Sequence, residues 1–345
     1  MPGLQFRRLE LQVTVNGSLV QGLLQASIAS TNCFSSDSYA LTFAMGQLPL
    51  GDISFWSNLS SSYVEVSATA ASEPTPQTLI SGMVDMVHID PIQGIVSIEG
   101  RDLSSTLIDS YRQQDFVNQT ASEVASTLAS YHGLTPAVTA TTGNVGRYYG
   151  DGYTRLSLGQ FSRLRSDWDL LVQLARENGF DAFVQSTTLF FQPATPSVNL
   201  PVHIAFSDVK TIRFEQTLSI ASKATARVQS WNSQNMASYD SNSAGDGAVT
   251  AQTAFKASNQ PYLFSASNFT SQQVTDSAGR YAAELNRLGI VLHAEMPWDL
   301  ALSPRTIIFI DETISLLDTA YKIESVERHF STTSGSSQTI RAVLA

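Results

Sequence analysis

Asp85, His88 and Asp90 lie within one short stretch, and a histidine between two carboxylates can hold a metal or relay a proton. On a strand, however, alternate residues share a face, so Asp85 is expected to point away from His88 and Asp90, which stand just before Pro91. A solvated strand end is the expected reading. Two carboxylate pairs could serve a glycosidase, whose acids stand about 5–10 Å apart across a cleft. They are Glu99 with Asp102, and Asp167 with Glu177. Asp167 suits a helix N-terminus, and Glu99 alternates out of the apolar face of its strand, so structure accounts for both. Cys33 is the single cysteine, which excludes an intrachain disulfide and a cysteine-based zinc site. His132, His203, His293 and His329 have no partner at ligand spacing. The sequence has no HExxH, no phosphate loop with its lysine and no Gly-x-Ser-x-Gly elbow. Gly143, Gly146, Gly150 and Gly152 cluster without the strand-to-helix switch of a dinucleotide site. No catalytic residue, cofactor site or metal site is expected.

The elements that hold these residues are mostly strands. Leu9, Leu11, Val13 and Val15 alternate with polar residues and run into Asn16-Gly17, a hairpin signal. Tyr39, Leu41, Phe43 and Met45 alternate again. Ile80, Val84, Met86 and His88 share one parity, and a hairpin across Asp90-Pro91 and Gln93-Gly94 leads to Val96 and Ile98. Near residue 102 the period changes to helical. Thr120 with Glu123 and Thr270 with Gln273 form capping boxes. A third helix starts at Ser166, with Asp167 and Asp169 in its first turn, and stops at Gly179. Strands return from Val202 to Asn232 and again from Ile307 to the end. Residues 237–250 are small, polar and aperiodic, and are expected to form a mobile loop. The hairpins 80–101 and 321–344 echo one another, each with a histidine, His88 and His329, near the end of its first strand.

The chain of 345 residues is too long for one core and is expected to divide. Charged residues make up 14% of it, against about 25% in typical globular chains, so Ser, Thr, Asn and Gln must carry its solubility. The net charge of −10, with four lysines, argues against tight nucleic-acid binding, which needs a basic footprint. Residues 1–15 show no leader pattern, and no apolar run is long enough to span a membrane.

Three segments, in this order and spacing, resemble the baseplate hub proteins of contractile bacteriophage tails, the late control protein D family. The first is Ile98-Glu99-Gly100-Arg101-Asp102-Leu103, running on to Thr106-Leu107-Ile108-Asp109. The second is Ser166-Asp167-Trp168-Asp169-Leu170-Leu171, continued by Leu174-Ala175-Arg176-Glu177-Asn178-Gly179-Phe180. The third is Tyr321-Lys322-Ile323 through Val326-Glu327-Arg328-His329, followed by a Gly335 loop. The resemblance implies an α+β, mainly β fold: two antiparallel β-barrels of the tail-tube type, related by duplication, and a mixed α/β middle domain. Residues 1–100 would form the first barrel, 101–199 the middle domain, and 200–235 with 288–345 the second barrel. A mobile polar loop and helix, 236–287, would be inserted in the second barrel. Gly100, Arg101, Asp102, Leu103, Asp167, Trp168, Leu171, Ala175, Gly179, Tyr321 and His329 are then fold determinants rather than a catalytic site.

The implied role is a structural hub: a homotrimer whose ring of six barrels adapts a hexameric tail tube to a trimeric spike protein. DNA would pass through it without specific binding. Further implied partners are baseplate wedge proteins and the tape measure protein, in a virion assembled in the host cytoplasm with no membrane insertion. A tailocin or other injection machine would use the same hub. Two other readings compete: a tail-associated cell-wall hydrolase, and a carbohydrate-binding adhesin using Trp56, Trp168, Trp231 or Trp298.

Overall fold

Asn16 and Gly17 sit at positive φ, 50° and 78°, and turn β1 (Leu9–Val15) back onto β2 (Ser18–Val20). The computed structural model describes residues 9–32, 34–46, 52–70, 73–149, 152–158, 164–194, 201–217, 225–244 and 261–345, and it is mainly β. Next come β3 (Leu23–Thr31), β4 (Ser38–Ala44), the short α1 (Ile53–Ser57), β5 (Tyr63–Ala70), β6 (Glu73–Asp90) and β7 (Ile95–Asp102). Alternation along these strands sends Phe43, Val66 and Ile98 into one core, where Trp56 of α1 joins them.

A middle region follows. It holds α2 (Ser104–Ile108), β8 (Gln114–Val117), α3 (Ala121–Tyr131), β9 (Thr135–Val138), β10 (Arg147–Tyr148), β11 (Thr154–Leu158), α4 (Asp167–Asn178), β12 (Phe180–Gln185) and β13 (Thr188–Pro193). Thr120 and Glu123 cap α3 reciprocally, Ser166 and Asp169 do the same for α4, and Gly179 at φ 67° ends it. The sheets β10-β11-β8 and β9-β13-β12 share a core with the helices, built on Phe116, Leu128, Trp168, Leu171, Leu174 and Phe191.

The rest of the chain supplies β14 (Val202–His203), β15 (Thr211–Gln216), β16 (Thr225–Asn232), β17 (Ala237–Ala244), β18 (Tyr262–Ser267), α5 (Ser271–Arg287), β19 (Ile290–Met296), β20 (Ile307–Phe309), β21 (Ala320–Ser331) and β22 (Gly335–Leu344). Leu292, Ile308, Tyr321, Ile323 and Ile340 lead its main core.

Four expectations change. Two closed barrels are not what the pairing gives among the described residues. One 13-stranded sheet runs in the order β15-β19-β22-β21-β3-β4-β7-β6-β5-β1-β2, with β20 branching from β21 and β14 pairing β20. The free edge of β3 takes β21, from Thr31↔Ser325 to Gln25↔Ser331, so the two halves are fused. Second, β16 leaves this sheet and pairs with β17 and β18, because Val274 and Ala278 of α5 cover Val228. Third, residues 237–244 form the edge strand β17 rather than a mobile loop; its side chains are polar because one face meets solvent. Residues 245–250 of that expected loop lie outside the described residues. Fourth, a bulge at Asp85 resets the parity of β6. Val87 and Ile89 turn toward the core, while Met86 and His88 face out with Asp85.

The halves repeat one another. The order β3-β4-β7-β6-β5 matches β15-β19-β22-β21-β20 strand for strand, and every pairing within both sets is antiparallel. Each half's long hairpin carries a bulge whose extra residue is acidic and ion-paired to arginine: Asp85 with Arg101, and Glu324 with Arg341.

Candidate functional site

The face of the large sheet opposite its cores is polar. Across β22, β21, β3, β4 and β7 the register aligns Thr339, Glu327, Ala29, Ser38 and Arg101 in one row, and Ser337, His329, Ser27, Ala40 and Glu99 in the next. Ion pairs hold it: Asp85 with Arg101 at 2.7 Å, Lys210 with Glu295 at 2.6 Å, and Arg213 with Glu215 at 2.8 Å. Glu65, Glu99 and Glu327 tip the balance of this face to negative; Glu65 accepts from Thr78 at 2.8 Å, and Glu327 lies 3.9 Å from His329. Two stretches of strand edge stay unpaired among the described residues on the sides away from their neighbours. One is β15, at the end of the sheet. The other is β6 beyond Val84, whose N–H donates to Ser62 O just ahead of β5. Ile92 and Ile314, at opposite ends of the strands, are 96% and 95% exposed.

The residues expected to determine the fold lie partly at this surface and partly in the middle core. Gly100 lies where an added Cβ would meet Met83 O at 2.1 Å and Tyr39 Oη at 2.4 Å, so only glycine lets the Tyr39 hydroxyl donate to Met83 O at 3.0 Å. Arg101 bridges Asp85 and Asp109, both at 2.7 Å. Asp102 is buried and accepts from Ser36 at 2.6 Å and from Ser104 Oγ at 2.5 Å. Leu103 packs against the middle core. Asp167, fully buried, meets Arg112 Nη2 and His132 Nε2, each at 2.7 Å. Trp168, Leu171 and Ala175 fill the middle core, and Gly179 abuts Arg280, whose guanidinium donates to Glu177 O at 2.8 Å. Tyr321 is buried, its hydroxyl donating to Leu317 O at 2.9 Å, whereas His329 stands on the polar face.

Sequence reasoning missed a charged seam where the three parts of the chain meet. Burial first, then the Asp102 charge, push the Asp37 carboxyl up to about 7, although part of the residue's surface stays exposed. Burial also raises Asp102, against the hydrogen bonds from Ser104 and Ser36. Arg305, at φ 77°, stacks on Phe183 at 3.3 Å and lies 3.8 Å from Asp181, which Lys322 approaches at 3.6 Å. Only contacts distant in sequence assemble this seam, so periodicity carries no trace of it.

The arrangement offers little to catalysis. Asp85 pairs with Arg101 rather than His88, although the bulge puts both on one face. Asp167 and Glu177 lie near opposite ends of α4, about 15 Å apart by helical rise. Burial raises Glu177. Among the described residues no group of three or more His, Cys, Asp or Glu could hold a metal, and no helix is long and apolar enough to cross a membrane. Trp56, Trp168 and Trp298 are buried; Trp298 donates to Ser337 O at 2.6 Å. Trp231 alone of the four is exposed, at 59%.

The family model described as Alg8 N-terminal domain matches residues 64–289. A search of the curated proteins finds no match. Among solved structures, the 43 kDa tail protein of prophage MuSo2 from Shewanella oneidensis superposes with a TM-score of 0.68 at 16% identity, covering 98% of both chains. A tail protein from Neisseria meningitidis MC58 gives 0.68 at 14% identity, covering 97% of this chain and 96% of that one. The E. coli c3393 protein, described as a type VI secretion component similar to the T4 tail proteins gp27 and gp5, gives 0.58 at 10% identity, covering 98% and 77%. The chain shares the fold of these phage tail proteins, as the three sequence segments implied, without the closed barrels expected of it.

Proposed function

The chain belongs to the Alg8 N-terminal domain family and folds as a phage tail protein, and from that premise we propose that it is the structural hub of a contractile tail. Three copies form a ring that adapts a hexameric tube to a trimeric spike, with wedge proteins outside and DNA passing through without specific binding. The observation that carries this reading is the fused repeat. One chain presents two equivalent five-strand units in one sheet, so three chains present six. The acid-rich polar face lines the channel. DNA carries one charge per ~1.7 Å of axis, and a wall with excess carboxylates repels it instead of exchanging its counterions. The role needs no enzymatic step.

Light scattering tests the reading. Three copies of a 37.4 kDa chain weigh about 112 kDa, and that mass is expected for the chain alone at rising concentration or with its spike protein. A monomer under both conditions would overturn the hub, and cell-wall turnover and glycan binding would then be measured instead.

A further inference from the structure

Inside the chain, the two halves join along one antiparallel seam: β3 on the outer side of β21, with Ser27 opposite His329 and Ile28 opposite Arg328. On that side of β21, β20 occupies the first part, through Lys322, and β3 takes the rest. The first half is built the same way up to that point. On β6, β5 occupies the first part, through Met83, Val84 N still donates to Ser62 O at 3.0 Å, and the remainder, to Asp90, is unpaired among the described residues. At the other end of the sheet, β15 is the counterpart of β3 and its outer edge is also unpaired. The chain therefore carries both halves of a second seam, one at each place, and among the described residues the two do not pair with one another.

The repeat fixes the register of that second seam. Aligning the bulges sets Asp85 on Glu324, hence Val87 on Val326, Ile89 on Arg328 and Asp90 on His329. Carrying this alignment through β7, β4 and β3 on one side, and β22, β19 and β15 on the other, sets Arg213 on Ser27 and Phe214 on Ile28. Copying the intrachain seam then places Arg213 opposite Asp90, Phe214 opposite Ile89 and Glu215 opposite His88. On the polar face this sets a cation against a carboxylate and a carboxylate against a histidine. On the core face it sets two apolar side chains together. Directly opposite residues of opposite charge, and apolar pairs, are the contacts that stabilise an antiparallel seam. A slip of one residue would send Phe214 against Asp90 or His88.

We propose that neighbouring copies of this chain join through β15 of one and the Met86–Asp90 part of β6 of the next, in the register Arg213↔Asp90, Phe214↔Ile89, Glu215↔His88. The inference rests on the trimer reading and adds its contact. The seam is heterologous, so it propagates around a ring and covers both exposed edges.

A disulfide trap tests it on the full chain, with Cys33→Ser as background and Arg213→Cys with Asp90→Cys added. Opposite strand residues have Cα atoms about 4.5–5.5 Å apart, within disulfide reach. Mild oxidation is expected to give covalent dimers and trimers on denaturing gels, and neither cysteine alone should do so. In parallel, Arg213→Glu is expected to weaken self-association at least tenfold, and adding Asp90→Arg to it should restore association. If the wild type is a trimer but the trap stays monomeric and Arg213→Glu associates normally, the seam is overturned and the hub reading stands. A wild-type chain that stays monomeric at every concentration, with no trapped species, overturns both. Should Arg213→Glu fail to fold, the trap decides, because both cysteines replace exposed or half-exposed edge residues.

Discussion

Replacing Asp167 with alanine checks whether the Ser166-Asp167-Trp168 segment holds the fold or serves catalysis. Asp167 is fully buried in the first turn of α4, with Arg112 Nη2 and His132 Nε2 each 2.7 Å from its Oδ2. A hydrogen bond to a charged group contributes roughly 1.5–3 kcal/mol. A carboxylate at a helix N-terminus adds about 0.3–1 kcal/mol. Breaking a buried ion pair costs about 3–5 kcal/mol when the remaining charge stays buried. Arg112 keeps 28% of its side chain exposed and can be partly rehydrated, so the low end, about 3 kcal/mol, is expected for Asp167→Ala. Asp167→Asn keeps the shape and one acceptor and should cost about 2 kcal/mol. Urea unfolding reads these values directly, and calorimetry should show Tm falling by about 4 °C for the alanine variant if the whole chain unfolds together. A change below about 0.5 kcal/mol, the range of an ordinary surface substitution, would refute the structural role. A stable Asp167→Ala that had lost a measurable cell-wall activity would assign the residue to catalysis.

Gly100→Ala drives a Cβ into Met83 O and the Tyr39 ring; overpacking and the lost Tyr39 bond should together cost about 2–4 kcal/mol, read as a lower urea midpoint with loss of soluble yield. Asp37 gives a pH dependence. Its folded carboxyl holds its proton up to about 7, against 3.8 ordinarily, so its stabilising contribution is fully present below 3.8 and is lost as pH rises to about 7. The whole span amounts to at most about 4 kcal/mol. Asp37→Asn should remove that slope and be the more stable chain above pH 7; urea midpoints of the two chains that run parallel from pH 4 to 8 would disprove this account.

Local chemistry was legible in the sequence wherever a few neighbouring residues decide the outcome. Asn16-Gly17, the capping boxes at Thr120 and Thr270, the helix start at Ser166, and Gly179 each act where they stand, because turn and cap geometry is set within four residues. Partner choice was not legible. Ala226 and Val228 alternate as a strand should, yet nothing in that alternation tells β16 to join β17 and β18 rather than the large sheet. The bulge at Asp85 inverted the faces of Met86 and His88, because one inserted residue shifts a period of two. The polar strand β17 passed for a loop because an exposed edge needs no apolar residue. Asp37, Asp181 and Arg305 come together only through contacts between parts of the chain more than a hundred residues apart.

The chemistry of the two seams differs in a way that their settings explain. Within the chain, Ile28 faces Arg328, which is buried, donates to Leu302 O and lies in the fields of Asp299 and Asp37. Burial lowers Arg328 to about 10, a sign that its charge is poorly solvated there. Such a pair contributes little association energy of its own. The seam forms because one chain supplies both sides, so no translational freedom is lost in bringing them together. A seam between copies has no such help. It must offset an association cost of several kcal/mol, and the register places Phe214 against Ile89 where the intrachain seam has Ile28 against Arg328. Apolar burial at about 25 cal/mol per Å² then supplies affinity, while Arg213 with Asp90 and Glu215 with His88 on the polar face fix the register. Exchanging the two chemistries by Ile89→Arg, which also removes an apolar contact at the margin of the first core, should therefore weaken the ring far more than it weakens the fold of one chain.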